Sequence, residues 1–272
     1  MSLDVNPTLN LLLNRKSVRA YAKREIETDV KAAILQATLR APTAGNLMLY
    51  SIIEVAEQSA KETLARSCDN QPFIAKAPWV LLFLADYQRW YDYFLASGVE
   101  ALCREVGVPM RRPAEGDLFL ACCDALIAAQ TAVIAAESLG VGSCYIGDIM
   151  EHYEIHRELF RLPRYVFPIA LLCCGYPTEQ QRERALTSRF DREYIVSRDR
   201  YRRLEAADLR AMFREREEQL FKKREQIGEA QNLGQWLYLR KFGADFSAEM
   251  TRSVREILRR WTERDNQEGD PA

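Results

Sequence analysis

The residue types best suited to chemistry lie near the start of the chain, in two short segments. Residues 15–19 read Arg-Lys-Ser-Val-Arg, which places three cations and a hydroxyl within five positions. Such a group can bind a phosphate, because arginine donates paired hydrogen bonds to oxyanions. Residues 41–46 read Ala-Pro-Thr-Ala-Gly-Asn, a turn of small residues against which a flat ligand can lie. Taken alone, the cations are more often a solvated surface or a cap on a preceding helix.

Composition indicates a globular protein with one core and appendages. The chain has 272 residues, of which 48% are hydrophobic, and this length exceeds that of most single compact domains. We expect no membrane span, because the longest apolar run, residues 79–85, is strand-sized and a bilayer needs about 20 residues. The 38 basic and 39 acidic residues nearly cancel. Neither nucleic acid nor an acidic membrane surface is therefore an expected partner.

The seven cysteines favour a reduced, cytoplasmic environment. Their number is odd and no C-x-x-C pair occurs, so the sequence lacks both a disulfide framework and the spacing of zinc or iron–sulfur sites. The N-terminus also lacks the basic segment and apolar core of a secretion signal. His152 and His156 are four residues apart, but a tyrosine follows His152 where a zincin motif has glutamate. We therefore predict surface histidines and no metal site.

Sequence periodicity predicts the elements that position the two segments. Asn6 and Pro7 start a helix that ends near Asn14, directly before the cations. A second helix begins after Thr28 and stops before the turn at Pro42. The predicted strands are residues 49–56, 79–85 and 166–176.

A long apolar helix and an aromatic segment complete the predicted core. Residues 117–139 are apolar nearly all round, so we expect a central, buried helix. Asp124 on this helix needs a hydrogen-bonded partner. Residues 86–115 are rich first in aromatic residues and then in glycine and proline, which predicts an insertion or lid. The order of elements gives an α+β (mixed α/β) protein without regular β-α alternation. No G-x-G-x-x-G follows a strand and no P-loop motif occurs, which disfavours both nucleotide-binding modes.

Four segments in order resemble the nitroreductase family of FMN-dependent oxidoreductases. They are residues 15–19, 41–46, the glycine-rich stretch 139–147 and the strand 168–177. The similarity covers residues 9–196. It implies a central mixed sheet flanked by helices, in an intertwined homodimer with FMN at the subunit interface. It also implies that hydride passes from NAD(P)H through the flavin to a small aromatic acceptor of the nitro or quinone type.

The same resemblance implies which residues bind FMN. It implies no catalytic side chain, because the cofactor carries the reaction. Residues 47–50 read Leu-Met-Leu-Tyr where many relatives have a glutamine, a proline and an aromatic residue, so acceptor contacts there are expected to differ. The implied ligands are Arg15, Lys16, Ser17 and Arg19, with the late Arg189, for the phosphate and ribityl chain; Asn70 for the ribityl chain and pyrimidine; Ile146 and Gly147 for the ring; and, from the opposite subunit, Pro42, Thr43, Ala44 and Asn46.

Beyond residue 198 the chain becomes helical and rich in charges of both signs. Two apolar stripes there predict helices that wrap a partner subunit or cover part of the pocket. The stripes are Leu209, Met212, Phe213, Leu220 and Ile227, and then Phe246, Met250, Val254, Leu258 and Trp261. Three arginines on the last helix, at 252, 255 and 259, indicate a solvated face rather than a nucleic-acid or protein contact.

These observations predict three segments. An FMN-binding domain covers residues 1–198 with its lid at about 86–116, a helical extension covers 199–261, and a disordered tail covers 262–272. Two other functions stay open. One is a specialised relative that fragments flavin or dehalogenates its substrate. The other is a non-catalytic flavin-binding protein whose C-terminal arm recruits a partner.

Overall fold

A four-stranded antiparallel sheet lies at the centre of the fold. The computed structural model describes residues 6–222 and 230–263. The strands are β1 (Tyr50–Glu54), β2 (Trp79–Asp86), β3 (Gly142–Ile146) and β4 (Val166–Gly175), in the order β1-β2-β4-β3. All eight residues of β2 are buried, as the apolar run 79–85 predicts, and the strand ends at the buried Asp86. The predicted strands are thus confirmed, and β3 is added at the sheet edge.

The two described ranges contain thirteen α-helices. In the first of these, α1, Asn6 accepts a hydrogen bond from the Leu9 amide and Pro7 occupies the first position, as predicted. The helices are α1 (Pro7–Asn14), α2 (Thr28–Thr38), α3 (Gln58–Ser67), α4 (Phe73–Lys76), α5 (Gln88–Ala96), α6 (Val99–Glu105), α7 (Glu115–Ser138), α8 (Tyr153–Phe160), α9 (Glu179–Glu183), α10 (Arg192–Ile195), α11 (Ala206–Lys222), α12 (Leu233–Leu237) and α13 (Asp245–Thr262).

The long helix α7 covers one face of the sheet with small residues. Ala125, Ala128 and Ala132 are buried against β2 and β4 together with α2. At 24 residues α7 is long and apolar enough to span a bilayer by length and composition, so the expectation that no stretch reaches that size is wrong. Its packing against the sheet and the buried Asp124 are those of a core helix.

One side of α7 is exposed, although the sequence predicts that the whole helix is buried. Phe119 is 67% exposed, and three further apolar side chains on the same side are exposed. They are Leu120, Leu126 and Ile127. About half of the apolar residues of α7 pack into the core of this chain. The others form an apolar face that no described residue covers.

The other face of the sheet is covered by α3, α4 and α8. Leu64 and Ile74 are fully buried there against β2 and β4. The last helix, α13, packs at one end, where the Trp261 ring meets the Tyr165 ring edge-on at 5.4 Å and its Nε1 donates to the Ala114 carbonyl.

The described chain divides into two compact units. One contains the residues up to Arg184 together with those from Glu249, and the other is Ala185–Ala248. The second unit therefore begins 14 residues before the predicted boundary at 198, and most of α13 belongs with the first. Ile227 of the predicted stripe and residues 264–272 of the predicted tail lie outside the described residues.

Candidate functional site

The cationic segment 15–19 lies along the free edge of β3. The Val18 amide donates to the Ser143 carbonyl at 2.9 Å, and Ser17 forms a parallel bridge to Ser143. The close approach depends on Gly142, because a Cβ at that position would lie 2.4 Å from Cγ2 of Val18. Glycine at position 142 therefore allows the cationic segment to lie against β3.

Arg15 presents an unsatisfied donor at this edge. Its Nη1 is buried without a hydrogen-bond partner among the described residues, and so is Oε1 of nearby Glu137. Burial raises the pKa of Glu137, while the positive charges of Arg15 and Lys16 oppose the rise. Buried polar groups are nearly always paired. A donor left open beside a serine hydroxyl and a second arginine fits an oxyanion such as a phosphate.

Lys16 and Arg19 are held differently. The Lys16 ammonium donates to the carbonyls of Arg182 at 2.7 Å and Arg184 at 2.5 Å, and Arg184 donates in return to the Ser17 carbonyl. Lys16 thus ties the segment to the chain that follows β4. Arg19 is exposed, and its guanidinium lies 5.8 Å from the centre of the Phe73 ring.

The loop that contains Asn70 is joined to the end of β3 by its neighbour. Gln71 Nε2 donates to the Cys68 carbonyl at 3.0 Å and to Asp148 Oδ2 at 2.7 Å. Asn70 is exposed, with a left-handed φ of 49°. Ile146 is buried on β3 and Gly147 exposes its backbone just beyond it. Gln71, the neighbour of Asn70, thus holds this loop beside the end of β3, and Asn70 stays a predicted FMN ligand.

The turn at 42–46 is organised by Asp124, which is 2% exposed. One carboxylate oxygen accepts from the Thr43 hydroxyl and from the Leu49 amide at 3.1 Å, and the other accepts from the Ala44 amide at 3.0 Å. The expectation that Asp124 has hydrogen-bonded partners is confirmed. Pro42 and Asn46 remain exposed on the turn.

The aromatic helix α5, within the predicted lid, fixes the chain that follows this turn. Trp90 Nε1 donates to the Leu47 carbonyl at 2.7 Å, and Arg89 Nη2 donates to the carbonyls of Met48 and Tyr50. A largely apolar cavity of about 860 Å³ opens here along β1. Trp90 therefore has a structural role in addition to lining this cavity.

The predicted residues fall into separate groups. The segment 15–19, the loop at 70 and Ile146–Gly147 gather at the β3 edge, whereas the turn 42–46 leads into β1 at the opposite edge of the sheet. Strands lie about 4.8 Å apart, so these two edges are separated by about 14 Å. Arg189 belongs to the unit Ala185–Ala248, where its Nη1 donates to Thr187 Oγ1. One chain therefore does not gather all the predicted ligands at the β3 edge.

The histidines differ from their predicted surface position. His156 is fully buried, with Nε2 2.7 Å from Ser67 Oγ and Nδ1 2.9 Å from the Ile149 carbonyl, and burial lowers its pKa to about 4. The prediction was wrong for His156 because these partners are distant in sequence. Within the described ranges no group of three or more His, Cys, Asp or Glu residues is placed to hold a metal ion.

The arginine face of α13 is ion-paired. Arg252 contacts Glu249 and Glu154 at 2.8 Å, and Arg259 contacts Glu256 and Glu263. A solvated face is therefore the better interpretation of these arginines.

The antiparallel α+β core defines the class of protein. Its fold is shared with known oxidoreductase structures. The hypothetical oxidoreductase YcnD from Bacillus subtilis aligns with a TM-score of 0.75 at 26% identity, covering 95% of this chain and 98% of that one. The NADPH:FMN oxidoreductase from Vibrio harveyi, complexed with NAD+, aligns with a TM-score of 0.74 at 21% identity, covering 93% and 98%.

Sequence comparison identifies the family. The model of the nitroreductase family matches residues 12–176, more than half of the chain. An oxygen-insensitive NADPH nitroreductase from Salmonella typhimurium is 28% identical over 201 residues, or 74% of this chain and 77% of the relative. An FMN reductase (NADPH) from Bacillus subtilis is 30% identical over 175 residues, or 64% and 67%. The chain belongs to the nitroreductase family and is an oxidoreductase of that family.

Proposed function

We propose that this protein is an FMN-dependent oxidoreductase that takes hydride from NAD(P)H and reduces a small aromatic acceptor of the nitro or quinone type. The observation that carries the proposal is the open Nη1 of Arg15 beside Ser17 and Arg19 at the β3 edge. This donor set fits the terminal phosphate of FMN, and the chain's relatives include proteins named FMN reductase and NADPH nitroreductase. Bound flavin supplies the hydride chemistry.

The chain's own residues bind and orient the cofactor. Arg15 and Arg19 neutralise the phosphate and Ser17 donates a hydrogen bond to it. Lys16 acts by holding their segment against the chain after β4. Exposed backbone at Gly147 lies beside the ring, where donors at the pyrimidine edge stabilise negative charge. In this proposal the protein's role is binding and electrostatics.

The proposal includes a homodimer, because the ligands of one site lie on opposite edges of a single sheet. A second copy that packs against the exposed face of α7 can bring its own turn 42–46 to the β3 edge of the first. An isolated apolar patch of this kind on a helix is typical of a protein interface. The free edge of β1 and the cavity beside it offer further contact area.

Arg189 is proposed as a further phosphate ligand, and it belongs to the unit Ala185–Ala248. Its segment is fixed within that unit, where the Arg216 guanidinium lies 3.6 Å from the centre of the Phe190 ring and Phe190 meets Phe213 edge-on. A cytoplasmic location is also part of the proposal, because all seven cysteines are free thiols.

Two measurements on the purified full chain test the function. The protein should be yellow, release FMN on denaturation, and oxidise NADPH or NADH in the presence of a quinone or a nitroarene. Arg15→Gln should lose FMN, while Arg104→Gln, on the exposed surface of α6, should retain it. A colourless protein that binds no FMN on titration would overturn the proposal. Bound FMN that neither nicotinamide reduces would instead indicate a binding module.

A further inference from the structure

Glu151 is a buried carboxyl directly after the turn Asp148–Met150 that follows β3. It is 2% exposed, its Oε1 has no hydrogen-bond partner among the described residues, and its amide donates to the Asp148 carbonyl at 3.0 Å. A carboxylate buried without a cationic partner is strongly unfavourable, so such a group keeps its proton.

The groups that face Glu151 are mainly acids. Asp148 lies in the same turn, Asp69 follows α3, and Glu249 approaches from α13, where Arg252 already pairs with it. The Cys68 thiol also lies within electrostatic range. Burial and these carboxylates raise the pKa of Glu151 to about 8.

His156, on α8, adds no compensating charge at neutral pH. His156 faces the turn from α8, but it is neutral, since burial lowers its pKa to about 4 and both ring nitrogens are bonded. His152, at the start of α8, lies 3.2 Å from Glu249 and is directed to that carboxylate.

Asp148 connects this buried carboxyl to the candidate FMN site. Its Oδ2 accepts from Gln71, which also donates to the Cys68 carbonyl and so holds the loop 69–72. The Glu151 carboxyl lies close enough to the Asp148 side chain that, in its protonated form, it can donate a hydrogen bond to it. That bond would link Glu151 through Asp148 and Gln71 to the loop 69–72.

We propose that Glu151 is a positioning residue whose neutral carboxyl holds the Asp148–Gln71 contact, so that loop 69–72 is ordered for FMN and loosens when Glu151 ionises. This rests on the proposed function, which puts FMN beside Gly147 and that loop. Ionisation places a new negative charge next to Asp148 and Asp69, removes the donor to Asp148, and repels the loop from the turn.

The test compares FMN affinity of the full-length protein and its variants between pH 7 and pH 9, by quenching of flavin fluorescence. The Kd of the unmodified chain should rise about tenfold over this range, since a group that titrates near pH 8 must be protonated in the bound state. Glu151→Gln keeps a neutral side chain of the same shape, so this rise should disappear. Glu158→Gln, an exposed acid on α8, is the matched control and should keep the full rise.

Two further readouts separate the proposal from the proposed function. Asp148→Asn removes a negative charge that opposes the ionisation of Glu151. It should therefore reduce the rise of the Kd for FMN between pH 7 and pH 9. Amide hydrogen exchange of residues 69–71, measured without FMN, should accelerate above pH 8 beyond its intrinsic pH dependence only when Glu151 is present. Glu137 beside Arg15 affects every variant equally, so the comparison isolates Glu151.

The outcomes are distinguishable. An equal pH rise of Kd in Glu151→Gln and the unmodified chain would overturn the positioning role while leaving the proposed function intact. Failure of the unmodified chain to bind FMN at pH 7 would overturn the proposed function, and the exchange experiment would still decide whether Glu151 orders the loop.

Discussion

Asp124 on α7 and Thr43 in the turn before β1 are joined by a buried hydrogen bond across 81 positions of sequence. The same carboxylate accepts from the backbone amides of Ala44 and Leu49, while Met48 donates to the Thr43 hydroxyl at 2.8 Å. One buried acid on the central helix thus sets the shape of a turn whose residues are proposed to meet the flavin of a second subunit.

Removal of this carboxylate should destabilise the protein. Asp124→Ala leaves the Thr43 hydroxyl and two amides without their acceptor, and hydrogen bonds to a charged group contribute strongly, so we expect a loss of about 3–5 kcal/mol. Urea unfolding followed by circular dichroism measures it. Asp199→Ala, at an exposed aspartate, should change stability by less than about 0.5 kcal/mol. Equal effects of the two substitutions would contradict the role assigned to Asp124.

Gly142 should be intolerant of a side chain. In Gly142→Ala the new Cβ meets Val18 Cγ2 at 2.4 Å, so the segment 15–19 must move from β3. We expect a loss of about 1–3 kcal/mol from overpacking and weaker FMN binding, measured by unfolding and by flavin titration.

A second substitution tests that explanation. Val18→Ala in the Gly142→Ala background removes the clashing methyl groups and should recover most of the lost affinity. Gly116→Ala, where nothing lies within 4 Å of the added Cβ, should have no effect on FMN. Failure of Val18→Ala to rescue would show that the glycine matters for another reason.

The core could be predicted from sequence where apolar patterning is unbroken. β2 and β4 each contain a long apolar run, and α7 is apolar nearly all round. The need of a buried acid for hydrogen-bonded partners predicts the bonds of Asp124. The strand β3 leaves no such signal, because it is five residues long and begins with Gly142 and Ser143. A short edge strand is defined by its neighbours rather than by its own composition.

Other features could not be predicted because they depend on residues far apart in the chain. The apolar period of α7 is the same whether a residue faces the sheet or a second subunit, so the exposed Phe119 was indistinguishable from the buried Ala128. The role of Gln71 in holding its loop could not be predicted, because it depends on Asp148, which is 77 positions away in sequence.

Arg189 should contribute to phosphate binding through charge. Arg189→Gln should raise the Kd for FMN about 10- to 150-fold, since a charge-assisted hydrogen bond to an oxyanion contributes about 1.5–3 kcal/mol. Phe213→Ala removes the ring that supports Phe190 and should have a smaller effect in the same direction. Phe242→Ala, at an 80% exposed ring in the same unit, is the control. FMN affinity unchanged in Arg189→Gln would exclude this arginine from the site.

His156 should make the fold sensitive to mild acid. Burial lowers its folded pKa to about 4, below the unfolded value of about 6.5. The contribution of His156 to the free energy of unfolding is therefore fully present above the unfolded pKa. It is lost as the pH falls towards 4, at up to about 1.4 kcal/mol per pH unit. His156→Gln should be less stable at pH 7 but show a flatter decline between pH 6.5 and pH 4.5. An unchanged slope in urea unfolding would assign the acid sensitivity to other groups.

The exposed face of α7 should determine the oligomeric state. Phe119→Glu combined with Ile127→Glu places two carboxylates on a face that the proposed dimer buries, and each unpaired charge in such an interface costs several kcal/mol. Sedimentation velocity should then show a monomer that keeps its circular dichroism spectrum, because these side chains are exposed in the single chain. FMN binding should be lost with the dimer, since turn 42–46 of the second copy is absent. Val106→Glu, at an equally exposed apolar residue near the lid, should leave the dimer intact. Persistence of the dimer in the double variant would place the subunit contact elsewhere, and a monomer with full FMN affinity would show that one chain suffices for the site.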